Sequence, residues 1–205
     1  MSAGRALGAA FALLGLVVIQ VPAALATPRA LSTLRSRLTA AGRAEVPVKQ
    51  VVTTAGDTVR HLRGQLALEL PDRVRVEDTV SGDRLTARGD GGEWLQPALK
   101  QMLILRADQA RQVASVWRVL LDASDRIEER SLGQGRYVLR PRFADAPVDS
   151  VWVQVRADGL PAKMRASAGD EQWALEFGTW KFKKPRGAAA FKLSAPSDYT
   201  VLEWP

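Results

Sequence analysis

Hydrophobic positions along this chain change their period twice. The chain opens on an unbroken apolar run from Ala9 to Ile19, preceded by a single positive charge at Arg5. Pro22 ends that run, and Ala24-Leu25-Ala26 follows, a small-x-small sequence of the kind signal peptidase cleaves. A membrane anchor is the competing reading, but a spanning helix needs about 20 apolar residues. The pattern therefore predicts an export signal over residues 1–26, cleaved before Thr27, ahead of a single domain over 27–205.

A helical period comes next. Thr27-Pro28 reads as a hydroxyl cap with proline in the first turn, and Leu31, Leu34 and Leu38 recur on one face of a helix ending near Gly42. Beyond it the period drops to two. A β-branched run through Val46, Val48, Val51 and Val52 ends at the turn Thr54-Ala55-Gly56-Asp57. Leu66 and Leu68 alternate with polar neighbours, as do Val74 and Val76 after the Pro71-Asp72 break, so Arg73 and Arg75 should face outward. Short strands are predicted at 84–88, 94–95, 100–105, 127–131, 136–140, 151–156, 162–168, 173–182, 189–193 and 199–204, separated by glycine-rich turns.

One helix interrupts this series. Asp108 is its expected cap, and Val113, Val116, Trp117, Leu120 and Leu121 form an apolar stripe opposite Arg111, Arg118 and Asp122. The predicted fold class is mainly β with α: an antiparallel sheet curled into an incomplete barrel, with two amphipathic helices covering its concave side. That arrangement implies an apolar cavity with a helical lid. By parity its candidate lining is Leu66, Leu68, Val74, Val76, Trp94, Val151, Val153, Trp173, Leu175 and Phe177 from strands, and Val113, Trp117 and Leu120 from the helix.

Composition narrows the chemistry. The chain has no cysteine, so it offers no thiol nucleophile, no disulfide and no lipid-modified residue after the signal. An exported, disulfide-free domain of this length must rest on its core, which suits a periplasm-like compartment. Net charge is +7, a surplus that suits anionic head groups or an acidic protein partner, with nucleic acid set aside by export. His61 is the sole histidine and builds no metal site alone. No serine lies in a nucleophile elbow, and Gly89-Asp90-Gly91-Gly92 lacks the lysine and helix of a phosphate cradle. Glu128 with Glu129, and Asp145 with Asp149, are carboxylate pairs that spacing does not separate from solvated charges. Lys181-Phe182-Lys183-Lys184 reads either as an anion contact or, preferably, as lysines protecting a sheet edge. No enzyme, cofactor or metal is expected.

Several segments in fixed order resemble the LolA-like family of periplasmic outer-membrane lipoprotein carriers. They are the run 62–77 with its proline corner, Asp90-Gly91-Gly92-Glu93-Trp94, Lys100-Gln101-Met102, Tyr137 to Pro141, Asp158-Gly159-Leu160-Pro161, and Phe191-Lys192-Leu193-Ser194-Ala195-Pro196. The resemblance spans the mature chain. It implies a soluble, monomeric periplasmic carrier that accepts lipoprotein acyl chains, or a related lipid, from an inner-membrane donor complex and passes them to an outer-membrane acceptor. It also marks a departure. Family members often carry a lid-latching arginine before the corner proline, where this chain has Leu70. A lipid sensor or scaffold of the same fold, reporting to a membrane partner, is the alternative; an exported hydrolase is the third reading.

Overall fold

The computed structural model describes residues 29–121, 127–142 and 148–204. The apolar leader, the Thr27-Pro28 helix start, Asp122 and Asp145 lie outside the described residues. Helix α1 (Arg29–Ala41) precedes β1 (Arg43–Thr54), β2 (Asp57–Glu69), β3 (Arg73–Asp78), β4 (Arg84–Arg88), β5 (Gly91–Gln96) and β6 (Gln101–Leu105). Helices α2 (Ala107–Val113) and α3 (Ser115–Arg118) follow, then β7 (Ile127–Gly133), β8 (Arg136–Pro141), β9 (Ser150–Val155), β10 (Pro161–Ala168), β11 (Glu171–Phe177), β12 (Lys181–Lys183) and β13 (Thr200–Glu203). The strands form one open, curled sheet in the order β13-β6-β5-β4-β3-β2-β1-β11-β10-β9-β8-β7, with β12 paired to the start of β1.

Register carries the alternating pattern from strand to strand. Trp94 lies opposite Leu85, Leu85 opposite Val76, Val76 opposite Leu66, and Leu66 opposite Val46. Two and six residues further along β1, Val48 faces Phe177 and Val52 faces Trp173. Because side chains alternate with period two, Leu66 and Trp173 share the concave face. Helix α1 seats Leu31, Leu34 and Leu38, all buried, on that face against β1, β9, β10 and β12. Gly42 ends the helix at φ 88°, donating to the Leu38 carbonyl at 2.6 Å, in a conformation that costs glycine least.

Four expected elements are corrected. The strand over 173–182 is split by Gly178-Thr179-Trp180. Opposite this break, Pro47 of β1 has no N–H to extend the ladder; its carbonyl instead accepts from Gly178 N at 2.8 Å. The single helix over 108–122 is jointed at Ala114, and Arg106 rather than Asp108 occupies the N-cap, its N–H donating to Gln109 Oε1 at 2.9 Å. The strand at 189–193 is a short 3-10 turn, Ala188–Phe191. The sheet is also not wholly antiparallel, since β13 runs parallel to β6.

The convex face of β2–β5 is crossed by the segment leading to that turn. Arg75 donates to the Ala190 carbonyl at 2.7 Å and Arg88 to the Phe191 carbonyl at 2.6 Å, which fixes the backbone as a turn and buries Phe191. Arg73 and Arg75 thus lie on the convex side, as parity requires. Arg88 also grips Glu93 with two bonds of 2.8 Å, and Thr86 donates to the same carboxylate at 2.6 Å.

Burial pushes the Glu93 carboxyl up, but the hydrogen bonds from Arg88 and Thr86 outweigh it and hold the group below the ordinary carboxylate value of 4.5. A depressed folded-state value contributes stability at neutral pH that is lost as pH falls through it. Urea unfolding between pH 7 and pH 3 should therefore show a loss beginning near the ordinary carboxylate range. Glu93→Gln should flatten that acid limb; an unchanged limb would remove Glu93 from the account.

Candidate functional site

Helix α1 fills only part of the concave face. Under α2 and α3, between them and strands β1–β5 and β11, a cavity of about 500 Å³ remains. Its strand wall is Val52, Leu62, Val76 and Leu85, and its helical wall is Val113, Val116 and Trp117. The joint at Ala114 lets both short helices turn apolar side chains into the same space.

Tryptophans and charges form another part of its boundary. Trp94 stacks on Trp204 with ring centroids 5.5 Å apart and planes 18° apart. The Arg60 guanidinium lies 5.1 Å above the Trp94 ring and 3.9 Å from Asp83, which accepts from the Trp94 indole at 3.4 Å. Gln109 of α2 donates to the Trp204 carbonyl at 3.2 Å, tying the helical cover to the end of β13. Asp78 is engaged locally, accepting from Val80 N at 2.9 Å and from the Ser81 hydroxyl at 3.0 Å.

Of the residues singled out by parity, Val76, Trp94, Val113, Trp117 and Trp173 line this cavity. Leu66, Leu68, Val74, Leu120, Val151, Val153, Leu175 and Phe177 are buried in the core and are not among its lining. Pattern reasoning missed Gln50, Arg60, Asp83, Gln109, Gln112, Glu171 and Trp204, all at the cavity. Beside the apolar walls that the pattern leads one to expect, the cavity carries a substantial polar lining. Gln50 was legible in principle, as an amide on the apolar parity of β1 between Val48 and Val52. Arg60 and Trp204 reach the site through register and topology, which spacing does not reveal.

His61 is exposed on β2, and among the described residues no cluster of histidine and carboxylate side chains could hold a metal ion. Lys181 and Lys183 are exposed on β12, which among the described strands pairs with β1, and Lys183 forms an ion pair with Glu45.

No protein-family model and no curated protein matches the chain. Among solved structures, it is similar to a LolA superfamily protein from Nitrosomonas europaea at 14% identity and a TM-score of 0.46, over 82% of this chain and 98% of that one. It is also similar to an uncharacterized conserved protein from Thermus thermophilus, at 15% identity and a TM-score of 0.49, over 85% of this chain and 97% of that one. A putative outer membrane lipoprotein-sorting protein domain from Vibrio parahaemolyticus aligns at 11% identity and a TM-score of 0.41, over 78% of this chain and 95% of that one.

Proposed function

We propose that this protein is an exported carrier that shelters an acyl chain of a lipoprotein, or of a related lipid, and moves it through the cell envelope. The observation that carries this reading is the cavity beneath α2 and α3. A methylene is about the size of a water molecule, whose share of liquid volume is ~30 Å³. The cavity of about 500 Å³ therefore accommodates roughly one long acyl chain. Each methylene taken from water contributes about 0.8 kcal/mol, so one chain supplies enough free energy for a soluble complex.

The jointed pair α2–α3 supplies the movable wall. Helix α2 contacts β4, β5 and β6, and the pair can exchange contacts with strand side chains for contacts with cargo. The apolar leader and the cysteine-free chain support release into the periplasm without a lipid anchor. Donor and acceptor are then an inner-membrane complex and an outer-membrane receptor, with the protein acting as a monomer.

The test is to purify the exported protein without detergent and to extract it for mass spectrometry. An acyl lipid or lipopeptide recovered intact, near one per protein, is the expected result. Absence of any acyl species, or recovery only of cleaved products, would overturn a carrier.

A further inference from the structure

We infer that half of the sheet's convex face, formed by β7–β11 with the middle of β1 and β2, is a docking surface for an anionic lipid bilayer. Register assembles it from residues scattered over the chain. In one row, Arg136 lies opposite Gln154, Gln154 opposite Lys163, Lys163 opposite Glu176, Glu176 opposite Lys49, and Lys49 opposite Arg63. Two residues along these strands, a second row runs Arg130, Val138, Trp152, Arg165, Ala174 and Val51. Arg140 and Glu128 face each other in a third. All seven of these cations are exposed, because strand parity turns them away from the buried Leu139, Val153, Met164 and Leu175.

Charge separates this half of the face from the other. Near the C-terminal segment that crosses β2–β5, the convex arginines have carboxylates of their own: Arg43 with Glu45, Arg73 with Glu69, Arg75 with Glu77 and Arg88 with Glu93. Of the seven cations here, among the described residues Lys163 alone has a carboxylate within ion-pair distance, Glu176 at 2.9 Å. Glu128, the other acid, is held by Arg142 at 3.3 Å. Like charges gathered on one face repel one another and attract an anionic partner. A protein is the poorer fit, because the core of a protein interface is apolar and depleted of charge, whereas this face sets its charges around one half-buried tryptophan. Lipid head groups ask only for cations near their plane, each Lys or Arg strengthening the attraction about fivefold. Trp152, with the Arg165 guanidinium 5.7 Å from its ring centroid, supplies the amphipathic ring that settles at head-group level. The surface lies on the opposite side of the sheet from α2 and α3, so docking leaves the helical cover free.

The experiment sediments the exported protein with vesicles of phosphatidylcholine containing phosphatidylglycerol, and with vesicles of phosphatidylcholine alone. Neither holds a lipoprotein, so the outcome is independent of the carrier reading. Wild-type protein should partition onto the anionic vesicles about tenfold more strongly, or better. Raising salt from about 0.1 M to about 1 M shortens the screening length from about 10 Å to about 3 Å and should abolish the difference. The triple variant Arg130→Gln, Arg136→Gln, Arg140→Gln should lose about tenfold in anionic binding. Arg84→Gln, Arg111→Gln, Lys192→Gln removes as much charge from exposed positions outside this face and should keep most of it. Should the first triple variant fail to fold, Lys49→Gln with Arg63→Gln reads the same face. Equal binding to the two kinds of vesicle, equal losses in the two triple variants, or no binding at all would overturn the lipid surface. Binding of polyglutamate without binding of anionic vesicles would give the face to an acidic protein and overturn it too.

Discussion

Glu69→Ala is expected to destabilise the protein by about 2–4 kcal/mol and to release the C-terminal segment from the sheet. The carboxylate is fully buried at the end of β2. Its Oε1 accepts from Arg73 at 2.7 Å and from Gly187 N at 3.0 Å, and its Oε2 accepts from Arg186 N at 2.7 Å. Alanine would remove the carboxylate that accepts from two backbone N–H groups, Arg186 and Gly187. Arg73 is a quarter exposed and can return to water, which keeps the loss below that of a fully buried pair. The damage should spread, because the same segment leads through β13 to Trp204, which stacks on Trp94 at the cavity. Urea unfolding should give the stability loss, and limited proteolysis should cut within 184–199 before the sheet is attacked. A change under about 1 kcal/mol with an unaltered cleavage pattern would show that the segment is held elsewhere.

That dependence on Glu69 shows why parts of this fold were readable and others were not. Alternation made the strands legible, since every residue on the wrong parity would place an apolar side chain in water. Leu66, Val76 and Trp173 therefore fall on one face by pattern alone. The segment 184–199 has no such period. Its path is set by long-range captures of single carbonyls and N–H groups by Arg75, Arg88 and Glu69, which leave no local signature. The Ala-rich stretch before Phe191 reads equally well as strand or turn until Arg75 and Arg88 hold its carbonyls. Pro47 was visible in β1, but its consequence emerges only once β11 is known to be the neighbour.

The candidate site divides in the same way. Its aliphatic half belongs to the strand and helix periodicities, so Val76, Val113, Trp117 and Trp173 were legible. Its polar half was hidden because a pattern search records apolar positions and treats an intervening Gln50 as noise. Conversely, apolar parity finds the whole concave face without telling where α1 fills it. Leu68, Val74, Val151 and Val153 share the period of the cavity walls but are covered core. Where a helix plugs a curled sheet is decided by side-chain volume in three dimensions. Gly64 adds one further example: a Cβ there would lie 1.7 Å from the Glu77 carbonyl oxygen, a constraint on β2 and β3 that no hydrophobic pattern conveys.

Trp117 of α3 and Leu120, in the turn just beyond it, give the sharpest contrast at the helical cover. Both belong to one apolar stripe, and both are almost wholly shielded from solvent, at 3% and 0% exposure. Only Trp117 borders the cavity. Truncating a tryptophan in a filled core costs about 3–5 kcal/mol, because transfer free energy is lost and a new void is created. Beside an existing cavity part of that void is already present, so Trp117→Ala should cost less, about 1–3 kcal/mol. Its main effect should fall on cargo. With the ring gone, acyl-chain affinity should drop by roughly tenfold or more, from lost apolar contact. Leu120→Ala should behave oppositely, costing about 2–5 kcal/mol with affinity unchanged while the protein remains folded. Unfolding curves and displacement of a fluorescent acyl probe on the two variants separate the cases. If Trp117→Ala showed full core-like destabilisation with cargo affinity unchanged, α3 would be structural packing and the binding cavity would not lie beneath it.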